Sequence, residues 1–176
     1  MGEFEPYDDL GAWRRDAVRW ALILLDDFAR RWIGPPGGPG PAVWGQWLQD
    51  PTRSAELCGR LGTPAAADPE ARSLLVDHAR VMRSRAAATT PVPPLSALAK
   101  RLSLSRVEAD ILRLLWALQT SPEVDRLARV LWGDSGPGTG LDFLIACLST
   151  DIAARTEVQR TLSGTAPLRL TRLVVL

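Results

Sequence analysis

The sequence predicts a mainly helical chain: a helical N-terminal segment, then a helix-turn-helix unit that closes on one or two short strands. Three observations predict it. Apolar residues recur at spacings of three, four and seven through most of the chain. The run Leu95 to Trp116 reads as a short helix, a tight turn and a longer apolar helix. Only Leu168 to Leu176 carries a loosely alternating pattern, at Leu170, Leu173 and Val175.

Taken in order, Asp8 or Asp9 caps a first helix that runs to about Ile33, where the stretch Gly34 to Pro41 stops it. Trp13, Ala17, Trp20, Leu24, Phe28 and Trp32 fall on one stripe of that helix, and Leu10, Ala21 and Leu25 widen it. Such a stripe either packs on the rest of the chain or docks on a partner helix or a neighbouring subunit, since large aromatic side chains anchor both cores and interfaces. Its exposed members, with Trp44 and Trp47 in the short apolar turn Val43 to Leu48, are the candidate partner-binding residues. Ser54 to Leu61 reads as a short helix. Asp68 and Pro69 then start a helix to about Ala87, with Leu74, Leu75, His78, Val81 and Met82 on its buried side.

Three prolines between Pro91 and Pro94 break the helical pattern. They mark either a boundary between a tryptophan-rich helical segment, 1–90, and a second unit, 91–176, or a loop within one domain. In the second unit Ser103 or Ser105 caps the longer helix, and Ser105-Arg-Val-Glu108 fits a capping box. Val107, Ile111, Leu114, Leu115 and Leu118 give that helix a buried face to about Gln119. Ser121-Pro-Glu123 starts a helix through Trp132, Gly133 to Gly140 is a loop, and two further helices follow over Leu141 to Leu148 and Ile152 to Leu162, with Asp151 a cap between them. The ending Leu168 to Leu176 reads as a strand cut just before something else.

The composition, 46% hydrophobic and 23% charged with a formal net charge of +1, describes a globular chain without a global field toward nucleic acid or an anionic membrane. Lys100 is the only lysine among 21 basic residues. Cys58 and Cys147 lie far apart in different helical stretches, which argues against a disulfide framework. No stretch approaches the length of an apolar membrane span, and Glu3, Glu5, Asp8 and Asp9 stand where a signal peptide needs positive charge. The expected location is the cytoplasm.

Tests for catalysis fail for definite reasons. A phosphate-binding P-loop needs Gly-Lys-Ser/Thr, whereas Lys100 follows Ala99 and precedes Arg101. The glycines of Gly133 to Gly140 lack a lysine and follow no strand, so they read as a surface loop. One histidine and two distant cysteines offer no ligand pair at metal spacing. His78 sits on a helical face among Leu74, Leu75 and Met82 and reads as a packed or half-exposed residue. Asp8-Asp9 reads as a cap, and Asp26-Asp27 as a solvated face. The expectation is therefore no catalytic residue, no cofactor and no metal. As a DNA reader, the helix beginning at Arg106 offers Arg106 and Arg113, but Ile111, Leu112, Leu114, Leu115 and Trp116 leave it little polar face. Protein docking is the expected role and DNA binding through Arg106 and Arg113 the alternative, with Arg126, Arg129, Arg155, Arg160, Arg169 and Arg172 as scattered solvated charge.

Several phrases occur in a recognisable order: Leu95 to Leu104, Leu104-Ser-Arg-Val-Glu-Ala-Asp-Ile-Leu112, Pro122-Glu-Val-Asp-Arg-Leu127, Gly140-Leu-Asp-Phe-Leu-Ile-Ala-Cys-Leu148, then Ala166-Pro-Leu-Arg-Leu to Leu176. This series resembles the winged-helix-like domain that precedes the ATPase module in AAA+ ATPases encoded with bacterial extracellular contractile injection systems. The match covers residues 94–176. It departs from the family where the arginine-rich connector before the third helix is here the glycine-rich Gly133 to Gly140, so contacts made by those arginines are not carried over. The resemblance implies a winged-helix-like, non-catalytic N-terminal accessory domain. Such a domain would bind a protein substrate, a particle component or neighbouring ATPase subunits, with the ATPase motifs beyond Leu176. A free-standing adaptor without an ATPase is a third possibility.

Overall fold

A computed structural model describes residues 4–33, 69–132, 141–149 and 152–162. Seven helices lie among them: α1 (Leu10–Ile33), α2 (Pro69–Ala88), α3 (Pro94–Arg101), α4 (Arg106–Thr120), α5 (Pro122–Trp132), α6 (Leu141–Leu148) and α7 (Ile152–Thr161). There is no strand among the described residues. The expected strand at 168–176, the turn at 43–48, the helix at 54–61, the loop at 133–140 and the Asp151 cap all lie outside them.

Helix α1 is the spine on which α2, α4, α5 and α6 pack. Asp9 starts it, its Oδ1 accepting from the Ala12 amide at 2.6 Å, which satisfies one of the donors a helix start leaves unpaired. Along it Trp13, Ala17, Trp20, Ala21, Leu24, Leu25, Phe28 and Ala29 are buried. Each large apolar side chain so enclosed contributes about 1.5–3 kcal/mol relative to an exposed one. Leu10 was expected to widen the stripe but is 56% exposed, because it sits in the first turn, ahead of the packed face.

Helix α2 lies along α1 with Leu75, Ala79, Met82 and Ala86 turned inward. Leu74 corrects the sequence reading. It is 55% exposed, since the inward stripe runs through Leu75 at spacings of four, three and four and leaves Leu74 about a quarter-turn outside it. Tyr7 ties the segment before α1 to this pair. Its amide donates to Thr89 Oγ1 at 2.8 Å, its hydroxyl donates to Asp16 at 3.0 Å, and the Arg85 guanidinium lies 4.2 Å over its ring. Burial and the Asp16 carboxylate push the Tyr7 hydroxyl well above its ordinary pKa. His78 is half-buried, its Nε2 3.1 Å from the Asp16 carbonyl oxygen.

The helix-turn-helix unit then adds α3 and α4, with α5 against α4, and α7 packs on both α4 and α6. One continuous core results, running from Tyr7 through Met82, Ile111, Leu131 and Phe143 to Leu162. The prolines at 91–94 therefore do not separate two bodies in the packing. Side chains from both sides of the expected 90/91 boundary share the same cluster.

Candidate functional site: the helix-turn-helix unit and its surroundings

The turn between α3 and α4 is specified by its backbone hydrogen bonds. The Leu104 amide donates to the Ala99 carbonyl at 2.9 Å and the Ser103 amide to the Lys100 carbonyl at 3.2 Å, the paired pattern of a Schellman cap. Ser103 occupies the left-handed position of that cap, with φ of 51°, where glycine is usual. Ser105, two residues later, is the N-cap of helix α4. The Glu108 amide donates to Ser105 Oγ at 3.2 Å, and the Ser105 amide donates to Glu108 Oε2 at 2.8 Å. The capping box read from the sequence is thus formed in both directions.

Helix α4 is a packed member of the fold. Glu108, Ile111, Leu114, Ala117 and Leu118 are buried, and α1, α3, α5 and α7 all contact it. Val107 and Leu115, expected on the buried face, are partly buried against the core. Trp116 meets Trp13 of α1 at 5.1 Å between ring centroids. Arg113, the second basic residue of α4, lies 4.9 Å over the Trp20 ring and donates to the Asp110 carboxylate. Arg106 is exposed, as are Lys100 and Arg101 at the end of α3. Nearby on α2, Arg83 has a buried Nη1 without a hydrogen-bond partner. Burial above all, then the neighbouring Arg106, pulls its guanidinium below the ordinary pKa, with Asp110 opposing and Arg113 adding to the fall.

The aromatic candidates divide clearly. Trp13, Trp20 and Phe28 are buried, so of the two alternatives open for the stripe these three take the packing one and are core side chains, not surface anchors for a partner. The physical reason is that α1 is covered by four helices, with Trp116 and Phe143 filling the space beside Trp13 and Phe28; the two phenylalanine rings meet edge-on at 5.8 Å. Helix α1 includes Trp32, whose side chain is outside the described residues, as are Trp44 and Trp47.

Asp26 and Asp27 also correct the sequence reading, which placed them on a solvated face. Both are buried, Asp27 completely. Asp27 accepts from Arg31 Nε at 3.0 Å, and Arg31 donates onward to the carbonyls of Ala146, Cys147 and Ser149 at 3.2, 2.9 and 2.6 Å. The guanidinium thus caps the C-terminal end of α6, where carbonyls lack helical partners and the dipole favours a cation. Burial raises the Asp27 carboxyl above its ordinary 3.8, with Arg31 the main opposing influence. Cys147 is fully buried, and burial pushes its thiol far above the usual range. Sequence periodicity missed this cluster because a charged pair at i, i+4 looks the same on an exposed face.

An open groove of about 380 Å³ runs between the first half of α1 and the α4–α5 corner. Arg14, Arg15 and Arg19 rim it on one side and Glu123 on the other, over Val18, Leu22 and Pro122. Arg14 crosses to the corner, donating to the Thr120 carbonyl at 2.9 Å. Sequence reading passed over these arginines because their common neighbourhood with Pro122 exists only in the folded chain.

No group of three His, Cys, Asp or Glu side chains gathers as a metal site among the described residues, and none of their helices is long and apolar enough to cross a membrane. The family model described as "Winged helix domain, variant" matches residues 43–176, most of the chain, and the chain belongs to that family. That match begins well before the prolines at 91–94 and so includes α2. No curated protein and no solved structure matches the chain.

Proposed function

We propose that this chain is a non-catalytic, cytoplasmic partner-recognition domain, the N-terminal accessory module of an AAA+ ATPase of the kind encoded with contractile injection systems. It holds a protein substrate, a particle component or a neighbouring subunit close to the ATPase ring, raising its effective concentration without performing chemistry on it. Membership of the winged-helix family and the ordered phrases from Leu95 to Leu176 support the module, and the second phrase lies on the cap and first turns of α4. The observation that carries protein docking over DNA reading is the enclosure of α4. Four helices cover it, and of its two arginines Arg113 is engaged by Asp110 and Trp20. A groove-reading helix needs a free polar face at its N-terminal end.

The test is the native reading frame past Leu176. A Gly-x-x-x-x-Gly-Lys-Ser/Thr motif within roughly the next hundred residues, a domain's length, is expected; a stop codon directly after Leu176 contradicts the ATPase context. A DNA-binding regulator is the rival, favoured by exposed Arg106 beside Lys100, Arg101 and the unpartnered Arg83 Nη1. It requires affinity that falls steeply with salt and is lost on Arg106→Ala or Arg113→Ala.

A further inference from the structure

We infer that the groove between α1 and the α4–α5 corner receives a short acidic segment of a partner protein, one that carries at least two carboxylates and one large apolar side chain. The inference rests on the partner-recognition reading and names the partner's chemistry. Helix α1 bears five arginines. The two near its C-terminus are spoken for, Arg30 by Asp26 and Arg31 by Asp27. The other three all stand at the groove, and none holds an ion pair among the described residues.

Arg15 and Arg19 are four residues apart, a spacing at which like charges repel along a helix. Three cations against the single Glu123 exceed the formal charge of +1 carried by the whole chain. Asp16, the one acidic residue in this stretch of α1, faces away to Tyr7 and Arg85. The groove therefore presents a local anion-seeking rim on a nearly neutral molecule. Guanidinium forks match carboxylates in bidentate fashion, which favours Asp and Glu side chains as partners.

The floor argues for a peptide over a polyphosphate. Val18, Leu22 and Pro122 offer an apolar surface that phosphates do not use, and an open space of about 380 Å³ suits one or two buried side chains. Arg14 braces the two walls through Thr120, so the shape is set by the fold before a ligand arrives.

The test is selection from a random-peptide display library on the purified chain, followed by affinity measurement of the selected peptides. They are expected to be enriched in Asp and Glu around an apolar residue and to weaken as salt rises. Arg15→Glu/Arg19→Glu should lower their affinity about tenfold or more, and Arg15→Gln/Arg19→Gln by less. Arg155→Glu/Arg160→Glu, the same charge change on the exposed face of α7, should leave it unchanged. Thermal midpoints matching the wild type show that each variant is folded. Selected peptides without acidic bias, or acidic peptides that bind all variants alike, overturn the groove assignment while leaving protein recognition standing. If no peptide is selected the groove assignment falls, and if a duplex DNA probe then binds with steep salt dependence the partner-recognition reading falls with it.

Discussion

Asp27 is a carboxylate with no exposed surface, held in place by a guanidinium that also caps a neighbouring helix. Removing Arg31 strips three carbonyls of their donor and leaves Asp27 alone, so Arg31→Met should cost about 3–5 kcal/mol in urea unfolding at neutral pH. The cost should shrink in acid, where Asp27 takes a proton. The sign follows from the raised folded-state pKa: the folded chain holds this proton more tightly than the unfolded one. Asp27's contribution is then most favourable in acid and is lost as pH rises from the ordinary 3.8 through the folded value. Asp27→Asn lacks that slope, so its stability relative to wild type should rise as pH increases above the ordinary 3.8; a flat or falling difference contradicts the assignment. Cys147 offers a second check at this scale. In a Cys58→Ser background, a thiol reagent at neutral pH should label it only on unfolding, since burial withholds both access and the thiolate. Trp20→Ala should cost about 3–5 kcal/mol as a core truncation, where a surface anchor would leave unfolding unchanged.

At the scale of elements, the corner between α3 and α4 is fixed by two local devices. Ser105→Ala removes one half of the capping box and should cost about 1 kcal/mol. Ser103→Gly should be neutral or stabilising, while Ser103→Val should cost about 1–2 kcal/mol more than glycine, because a branched side chain is strained at positive φ. Thermal unfolding of the three variants checks both. These elements were legible in the sequence: Pro69, the Ser105-to-Glu108 phrase, and Pro122 mark helix starts found within a residue of where the local chemistry puts them. What was not legible is which faces are covered. A period of 3.6 identifies one apolar stripe, but α1 meets four helices, so Asp26 and Asp27 are enclosed with the apolar residues. Leu74 and Leu10 went the other way, apolar in sequence and exposed in the fold. The groove was equally invisible, since Arg15 and Pro122 become neighbours only by tertiary packing.

For the whole molecule, the consequence of a shared core is cooperativity. A fragment of residues 91–176 would expose the faces of α4, α5 and α6 that α1 covers, and it should lack the sharp thermal transition of the full chain. The same sharing encloses much of α4, which is why the proposed function assigns recognition to surfaces outside the core, above all the arginine-rimmed groove, and not to α4 as a reading head. The most direct measurement is an anisotropy titration of a fluorescent DNA duplex with the full chain at salt from low to physiological, wild type beside Arg106→Ala. If recognition is of protein, no saturable binding is expected at about 0.15 M salt, and Arg106→Ala should have no selective effect on any weak binding below it. Saturable binding that falls steeply with salt and disappears with Arg106→Ala would contradict protein recognition as the role of this chain.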